Sequence, residues 1–273
     1  MFDISEDIFF FQGGSGSQLL GFLSKPEKPK AGILFCHPFA EEKNCAHFIV
    51  AEAARKFAQL GYAVMRFDLS GCGDSEGEFD EFTIENWLAD IQTAKEHLRE
   101  EAQVEDIYLW GLRFGAGLVL LDVQQSHDAS GLILWQPIFD FQLYIHQYLR
   151  NQLGSNITSS GNGVSVKSLI SNLEADEKVE VFGYTLSPTM YKNFMKVGKI
   201  EPSPDVNNQI FIASISQMET PPMTITQVVD KLKLSQKFLT FQHIEEEPFW
   251  DRYERWQAPN TTAKTANWLA SIN

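Results

Sequence analysis

One short segment of this sequence has the outline of a nucleophile turn with an unexpected residue at its centre. Gly111 and Gly115 have the spacing of a G-x-S-x-G motif, but Arg113 stands where the serine should be. The run Asp106–Trp110 before the motif and the run Ala116–Leu121 after it provide the strand, sharp turn and helix that the motif requires. Because arginine stays protonated and has no acceptor lone pair, it cannot attack a carbonyl from this position.

Apolar runs of strand length alternate with segments of helical periodicity around this motif. Strands are predicted at 8–11, 19–23, 32–36, 62–67, 107–110, 131–135, 209–215 and 237–242. Helices are predicted at 46–60, 83–100 and 262–272, and a further one follows the motif. This alternation predicts an α/β fold with a mainly parallel sheet of about eight strands, covered by helices on both faces.

The regular alternation ends after Pro137. Residues 140–208 contain turn clusters and mixed helical patches, and they are too many for a plain loop. We therefore expect an inserted helical cap at 140–208, above a core formed by 1–139 and 209–273.

Composition excludes several classes of function. The formal net charge of −14 argues against binding to nucleic acid or to an anionic membrane. No apolar run reaches the length of a membrane span, and the acidic start does not resemble a signal peptide. The three cysteines fit neither a metal site nor a disulfide framework, and the six histidines are scattered. We therefore expect a cytoplasmic protein with no metal and no cofactor.

Several separated motifs together resemble the serine-hydrolase branch of the α/β-hydrolase superfamily. They are the strand that ends at His37-Pro38, the turn-rich segment 68–75, the motif at 111–115 and the late insertion. A narrower set resembles the second hydrolase-like protein associated with exosortase A gene clusters, and it comprises 37–44, 111–113, 134–137, 183–188 and 248–250. That resemblance implies a bacterial origin and a link to envelope protein sorting or exopolysaccharide.

The resemblance also implies where the partners of a nucleophile should lie. The superfamily's catalytic histidine usually follows the last strand as His-x-Phe, and the comparable stretch here begins with Glu247, so a carboxylate replaces the imidazole. His243 lies four residues earlier and stays open as a shifted base, beside its plainer interpretation as a strand-end histidine. Glu219 is the only carboxylate where the triad acid would be expected.

These two replacements have opposite charges, and a charge in a dry turn is costly unless it is paired. We expect a contact below about 3.5 Å from Arg113 to Glu41 or Glu42, on the loop after His37, or to the run Glu245–Glu247. A bound anion is the only alternative partner. The competing interpretation is that Arg113 merely braces the loop and binds no ligand.

Backbone groups near the motif could still bind a ligand. The amides of Phe39 and Phe114 correspond to the superfamily's oxyanion hole, and a helix N-terminus beside Arg113 suits a carboxylate or phosphate. His37 and Cys72 should border the same pocket. Cys72 is a weak alternative nucleophile, because neighbouring aspartates oppose a thiolate.

Two functions therefore stay open. The first is an ester or thioester hydrolase, or an acyltransferase, that works without a serine nucleophile. The second is a catalytically silent protein that binds a small acyl or anionic ligand, or a partner protein. A noncanonical member with at most weak esterase activity is favoured, although one fold carries many functions.

Overall fold

All eight predicted strands are present and form one sheet. The computed structural model describes residues 2–156, 165–200, 209–233, 237–254 and 257–272. In chain order, the first elements are β1 (Ser5–Gln12), β2 (Gln18–Lys25), β3 (Ala31–Cys36), α1 (Glu41–Ala58), β4 (Tyr62–Phe67), a 3-10 turn (Phe79–Glu81), α2 (Ile84–Ala102), β5 (Ile107–Leu112), α3 (Phe114–Ser126) and β6 (Gly131–Trp135). The rest are α4 (Phe141–Asn156), α5 (Val166–Glu174), β7 (Val179–Val181), β8 (Tyr184–Leu186), α6 (Pro188–Val197), β9 (Gln209–Ser216), α7 (Met223–Lys233), β10 (Leu239–Glu245) and α8 (Pro259–Ser271).

The sheet is parallel over most of its width. Its strand order is β1-β2-β4-β3-β5-β6-β9-β10, and only the pairs β1 with β2 and β2 with β4 are antiparallel. Every residue of β3 and β6 is buried, as expected for parallel strands that have helices on both faces. The carboxyl ends of the parallel strands therefore meet at one edge, where ligands of such sheets bind.

Alternate residues of each central strand enter two separate cores. Ile33 and Phe35 pack with α1 and α8, whereas Leu34 and Cys36 pack with α2 and α3. This division follows from the pleat, because successive side chains of a strand point to opposite faces.

The segment between β6 and β9 contains α4, α5, α6 and the small β7-β8 hairpin. It is largely helical, as predicted, and the hairpin is an addition. The Phe141 amide donates to the Gly198 carbonyl at 2.8 Å, and the Ile200 amide donates to the Phe139 carbonyl at 2.7 Å, so the two ends of its described part lie together. The predicted boundary at residue 208 lies outside the described residues, and the division into core and cap stays a prediction.

Two helices differ from the sequence prediction. Helix α1 begins at Glu41 rather than Ala46, so Glu41 and Glu42 are not on a loop but in the first helical turn, where carboxylates suit the helix dipole. Its polar opening residues carry no apolar periodicity, which is why the pattern begins later. Helix α7 is absent from the predicted elements, although its buried side chains have helical spacing.

The helices of the described ranges are expected to include no membrane span. None of these described helices is both long and apolar enough to cross a bilayer.

A fully buried ion pair joins α2 to α3. Lys95 Nζ lies 2.9 Å from Asp122 Oδ2, and both side chains are 0% exposed. Ser126 Oγ also accepts from Lys95 Nζ at 3.3 Å. Lys95 Nζ also lies 3.8 Å from Asp128 Oδ2, whose side chain is partly exposed. Desolvation of two charges makes a buried pair a small net gain, but removing Asp122 leaves the buried ammonium with this weaker partner alone.

We expect Asp122→Ala to lower the free energy of unfolding by about 3 kcal/mol, because the buried Lys95 ammonium then keeps only the more distant, partly exposed Asp128 carboxylate, 3.8 Å away. Urea-induced unfolding, followed by circular dichroism, measures this loss. The control is Asp176→Asn, which removes a pair with Lys192 whose side chains are 76% and 59% exposed. The control should change stability by less than about 1 kcal/mol. Equal losses in the two variants would contradict the prediction.

Candidate functional site

The turn between β5 and α3 has the backbone of a nucleophile elbow. Arg113 sits at its centre with φ 56° and ψ −117°, a conformation that is strained for a residue with a side chain. A Cβ added to Gly115 would lie 2.1 Å from the Cys36 carbonyl oxygen, and one added to Gly111 would lie 2.4 Å from the Ala116 backbone. The two glycines are therefore required by close backbone approach, as the motif predicts.

The Arg113 side chain forms the predicted ion pair, and its partner is Glu42. Arg113 Nη2 and Nε lie 3.0 and 3.3 Å from Glu42 Oε1. Both side chains are only 18% exposed. The Tyr144 hydroxyl donates to the second carboxylate oxygen at 3.1 Å, so both oxygens of Glu42 are occupied.

Aromatic rings hold the same guanidinium from other sides. Its central carbon lies 5.1 Å from the Trp250 ring centroid and 5.6 Å from that of Tyr144, both within cation–π range. Burial alone lowers the pKa of Arg113, but the Glu42 carboxylate, with a contribution from Asp251, raises it overall. Arg113 is thus a fixed positive charge at the centre of the site.

The carboxylate that meets Arg113 comes from α1 and not from the chain after β10, where sequence reasoning placed Glu247. Glu247 is exposed and accepts from Gln217 Nε2 at 2.7 Å. Glu41 is half-buried and accepts from Asn44 Nδ2 at 3.1 Å. The orientation of the first turn of α1 therefore places Glu42, and not Glu41, against Arg113.

His243 lies within β10, with both ring nitrogens engaged. Its Nε2–H donates to the Met218 carbonyl at 2.7 Å, and its Nδ1 then accepts from the Ser214 hydroxyl at 3.3 Å. This arrangement fits the plainer interpretation of His243 as a strand-end residue. The Ser214 hydroxyl that meets His243 is fully buried in β9, so the two do not present an accessible nucleophile and base.

His37 is a buried structural histidine at the end of β3. The Leu69 amide donates to its Nε2 at 3.2 Å, so Nδ1 carries the proton and donates to the Pro38 carbonyl at 2.7 Å. Burial lowers the pKa of His37 to about 4. The imidazole is therefore neutral and positions the turn that starts at Leu69.

The other nucleophile candidates lie in the same turn-rich segment and are buried. Burial raises the pKa of the Cys72 thiol to about 12, so the thiol stays protonated at neutral pH. Ser75 Oγ donates to the Asp68 carbonyl at 2.6 Å, and Ser70 Oγ lies 2.6 Å from Ser15 Oγ. Both hydroxyls form hydrogen bonds within the protein that stabilise the turn.

The two residues whose backbone amides are expected to form an oxyanion hole are in contact through their side chains. The rings of Phe39 and Phe114 meet edge to face with centroids 5.3 Å apart. Within the described ranges, neither backbone N–H donates to a protein acceptor. Further aromatic rings pack on Phe114, with Phe194 stacked at 5.2 Å and Tyr144 at 6.0 Å. Helices α4 and α6 thus fill the space directly above the elbow with aromatic side chains.

A cavity of about 340 Å³ opens beside Arg113. Its polar lining comes from Gln136, Asp140, Lys199 and Lys231, and its apolar lining includes Leu143, Tyr144 and Val228. This volume is within the range of small-molecule sites. Val228 and Lys231 belong to α7, and the sequence did not predict that they line a cavity because it did not predict this helix. Among the described residues, no group of three or more His, Cys, Asp or Glu side chains is placed to hold a metal ion.

The elbow joins strand β5 of the eight-stranded, mainly parallel sheet to helix α3. This arrangement defines an α/β-hydrolase fold. The chain belongs to the family described as Serine aminopeptidase, S33, whose match covers residues 27–193.

Curated relatives match a shorter part of the chain. Human mitochondrial palmitoyl-protein thioesterase ABHD10 is 30% identical over 111 residues, which are 37% of this chain and 34% of the relative. The bovine protein is 30% identical over 95 residues, or 31% and 30% of the two chains. The match thus spans about a third of the length of these relatives.

Solved structures are similar over nearly the whole chain. DcsB in complex with its substrate analogue has a TM-score of 0.69 at 14% identity and covers 98% of this chain and 99% of its own. Est1E from Butyrivibrio proteoclasticus with bound ferulic acid has a TM-score of 0.64 at 16% identity and 97% coverage of both chains. Mouse alpha/beta hydrolase domain-containing protein 10 has a TM-score of 0.63 at 13% identity and covers 98% and 100%. These similarities establish the fold.

Removing either partner of the Arg113–Glu42 pair should destabilise the protein by on the order of 3 kcal/mol, because the remaining charge is largely buried. Arg113→Met and Glu42→Leu test this in urea-induced unfolding. The double variant Arg113→Met/Glu42→Leu is expected to recover much of the loss, since it leaves no unpaired charge. A coupling energy below about 0.5 kcal/mol in the double-mutant cycle would contradict the prediction.

The lowered pKa of His37 predicts a loss of stability in mild acid. Above the ordinary histidine pKa of 6.5, His37 is neutral in both states. As the pH falls from there towards about 4, only the unfolded chain takes up the proton, so stability decreases by up to about 3 kcal/mol. Unfolding of the wild type and of His37→Gln between about pH 7 and about pH 4.5 measures this contribution. The variant should show the shallower dependence, and parallel curves would refute the assignment.

Proposed function

We propose that this protein is a noncanonical α/β-hydrolase that binds an acyl ester, thioester or related anionic ligand beside Arg113, without serine-based catalysis. The observation that carries the proposal is the Arg113–Glu42 ion pair inside an otherwise intact elbow. In the family, this position presents a nucleophile to the substrate. Here it presents a cation that is already held by a carboxylate and two aromatic rings.

The surroundings of the elbow support the absence of an alternative serine-like mechanism. A hydroxyl or thiol nucleophile needs a base within hydrogen-bond reach. His243 accepts from Ser214, His37 accepts from the Leu69 amide, and the Cys72 thiol has a raised pKa. The Ser214 hydroxyl is fully buried, the His37 nitrogen is engaged by a backbone amide, and the Cys72 thiol stays protonated. None of these groups therefore forms an accessible pair of nucleophile and base.

The ligand class follows from the character of the elbow and of the neighbouring cavity. The Phe39 and Phe114 amides suit an acyl oxygen or an anion at the elbow, and the separate 340 Å³ cavity next to Arg113 combines apolar walls with charged and polar side chains. A carbonyl or carboxylate group near Arg113 with an acyl chain along the cavity satisfies both features.

A second candidate function is residual hydrolysis or acyl transfer of an ester or thioester by a non-serine route. It is favoured by the relatives, which are palmitoyl-protein thioesterases by name. On this alternative, water or an acceptor is activated by a group other than residue 113, and turnover is weak.

The biological setting is also a proposal. The motifs at 37–44, 183–188 and 248–250 resemble the exosortase-associated hydrolases, which supports a cytoplasmic bacterial role linked to envelope protein sorting or exopolysaccharide. The position of the gene beside an exosortase gene, or its absence from such clusters, tests this link.

We expect no labelling of the wild-type protein by a fluorophosphonate, because that reagent needs an activated hydroxyl. Arg113→Ser should also label poorly and hydrolyse p-nitrophenyl butyrate and short acyl thioesters only weakly, since it restores the hydroxyl without a base. Mass spectrometry of labelled peptides and a colorimetric esterase assay measure both outcomes. Label at Ser70 or Ser75 would show that the nucleophile has moved. Strong hydrolysis by Arg113→Ser would show that His243 is a working base.

A further inference from the structure

A second arginine, Arg66, lies in a separate cavity on the sheet face covered by α1. Arg66 is near the carboxyl end of β4, in register with Phe22 of β2 and Phe35 of β3. The cavity has a volume of about 530 Å³ and extends from these strands to α1. None of its lining residues lines the cavity beside Arg113.

The Arg66 guanidinium has no acceptor in the described part of the chain. Its Nε is buried without a hydrogen-bond partner, and none of its nitrogens forms an ion pair with a described residue. Its one specific contact is with the Phe22 ring, whose centroid lies 5.1 Å from the guanidinium carbon. Arg66 is half-buried, but its Nε is buried, and a buried donor without an acceptor is costly. An acceptor for Nε has to come from outside the described residues.

The nearest carboxylates are already engaged by other groups. Glu6 Oε1 accepts from Arg55 Nε at 2.9 Å and from the Ser24 hydroxyl at 3.1 Å. Asp68 Oδ1 lies 2.9 Å from Lys43 Nζ, and its Oδ2 accepts from the Asp74 amide at 3.2 Å. Burial and the charge of Arg55 lower the pKa of Arg66, whereas Glu6 and Asp68 only partly offset them.

The rest of the cavity is mostly apolar. Phe22, Phe35, Ala46 and Val50 form walls around the guanidinium. His47 and Tyr253 also line it, and both are exposed, Tyr253 at 57%. Lys43 also lines the cavity, but its ammonium is paired with Asp68. A largely apolar cavity with a few charged groups and an open side is typical of a small-molecule site.

We propose that this cavity binds a small monocarboxylate with an aryl or short alkyl body. The carboxylate accepts two parallel hydrogen bonds from Arg66, and the body packs on Phe22, Phe35 and Val50. Asp68, Asp74 and Lys43 also line the cavity, and Lys43 is paired with Asp68. The remaining negative charge of Asp74 repels a doubly charged phosphate more strongly than a single carboxylate. This site is independent of the function proposed for the elbow.

Calorimetric titration of the wild-type protein with benzoate and with hexanoate tests the proposal. Benzamide, the neutral counterpart of benzoate, and inorganic phosphate should each bind at least about tenfold more weakly than benzoate, because they lack the single planar charge. Equal binding of benzamide would show that Arg66 does not recognise the ligand. Equal binding of phosphate would overturn the choice of a monocarboxylate.

Variants then locate the site. Arg66→Met should weaken benzoate binding at least about tenfold, and Arg66→Lys should weaken it less, since lysine keeps the charge but loses the planar fork. His47→Trp, at an exposed position of α1, should block the cavity and give the same loss, which keeps the test valid if Arg66→Met does not fold. Arg150→Met, which makes the same substitution at an exposed position of α4 outside both cavities, is the matched control and should bind benzoate as the wild type does.

Three results overturn the proposal. The first is that neither carboxylate binds the wild-type protein. The second is that folded Arg66→Met, or His47→Trp, binds benzoate as tightly as the wild type. The third is that binding is lost in Arg113→Ser but kept in Arg66→Met, which would assign the carboxylate to the elbow cavity instead.

Discussion

The backbone of the elbow turn is the constraint on which the rest of the site depends. With φ at 56° and glycines on either side, the turn fixes residue 113 at the carboxyl edge of the sheet whatever its side chain is. A guanidinium held there requires a counter-charge, and Glu42 of α1 supplies it. Tyr144 from α4 and Trp250 from the chain after β10 complete the contact. One turn thus joins three distant parts of the sequence.

The Arg113–Glu42 ion pair is more rigid than the hydrogen-bonded catalytic triad that other α/β-hydrolases have at this position. A serine triad uses neutral hydrogen bonds that rearrange as a proton moves, whereas an ion pair with both carboxylate oxygens occupied has no such freedom. The stacked rings of Phe114, Phe194 and Tyr144 restrict the space above the turn in the same way. Family membership therefore describes the scaffold of this protein, and the contacts of residue 113 describe its chemistry.

The sequence predicted the sheet well because its central strands are uninterrupted apolar runs. It also predicted that Arg113 would need a carboxylate, since that follows from charge and burial alone. It named Glu42 as one candidate partner beside Glu41 and the run Glu245–Glu247, but it did not choose among them, because the choice depends on the first turn of α1, which is polar and has no periodic signal. The Arg66 cavity is equally invisible in the sequence, since it requires Glu6 and Asp68 to be occupied by residues far away in the chain.

The close approach of α3 to the end of β3 constrains positions 113 and 115 in different ways. A side chain at position 115 would collide with the Cys36 carbonyl, whereas the side chain at 113 projects away from the backbone contacts. Folding therefore constrains the two glycines through the backbone, whereas it constrains position 113 only through the side chain that Glu42 meets. A different residue at 113 fits this architecture when position 42 changes with it, so the two positions form one exchangeable unit on a fixed turn.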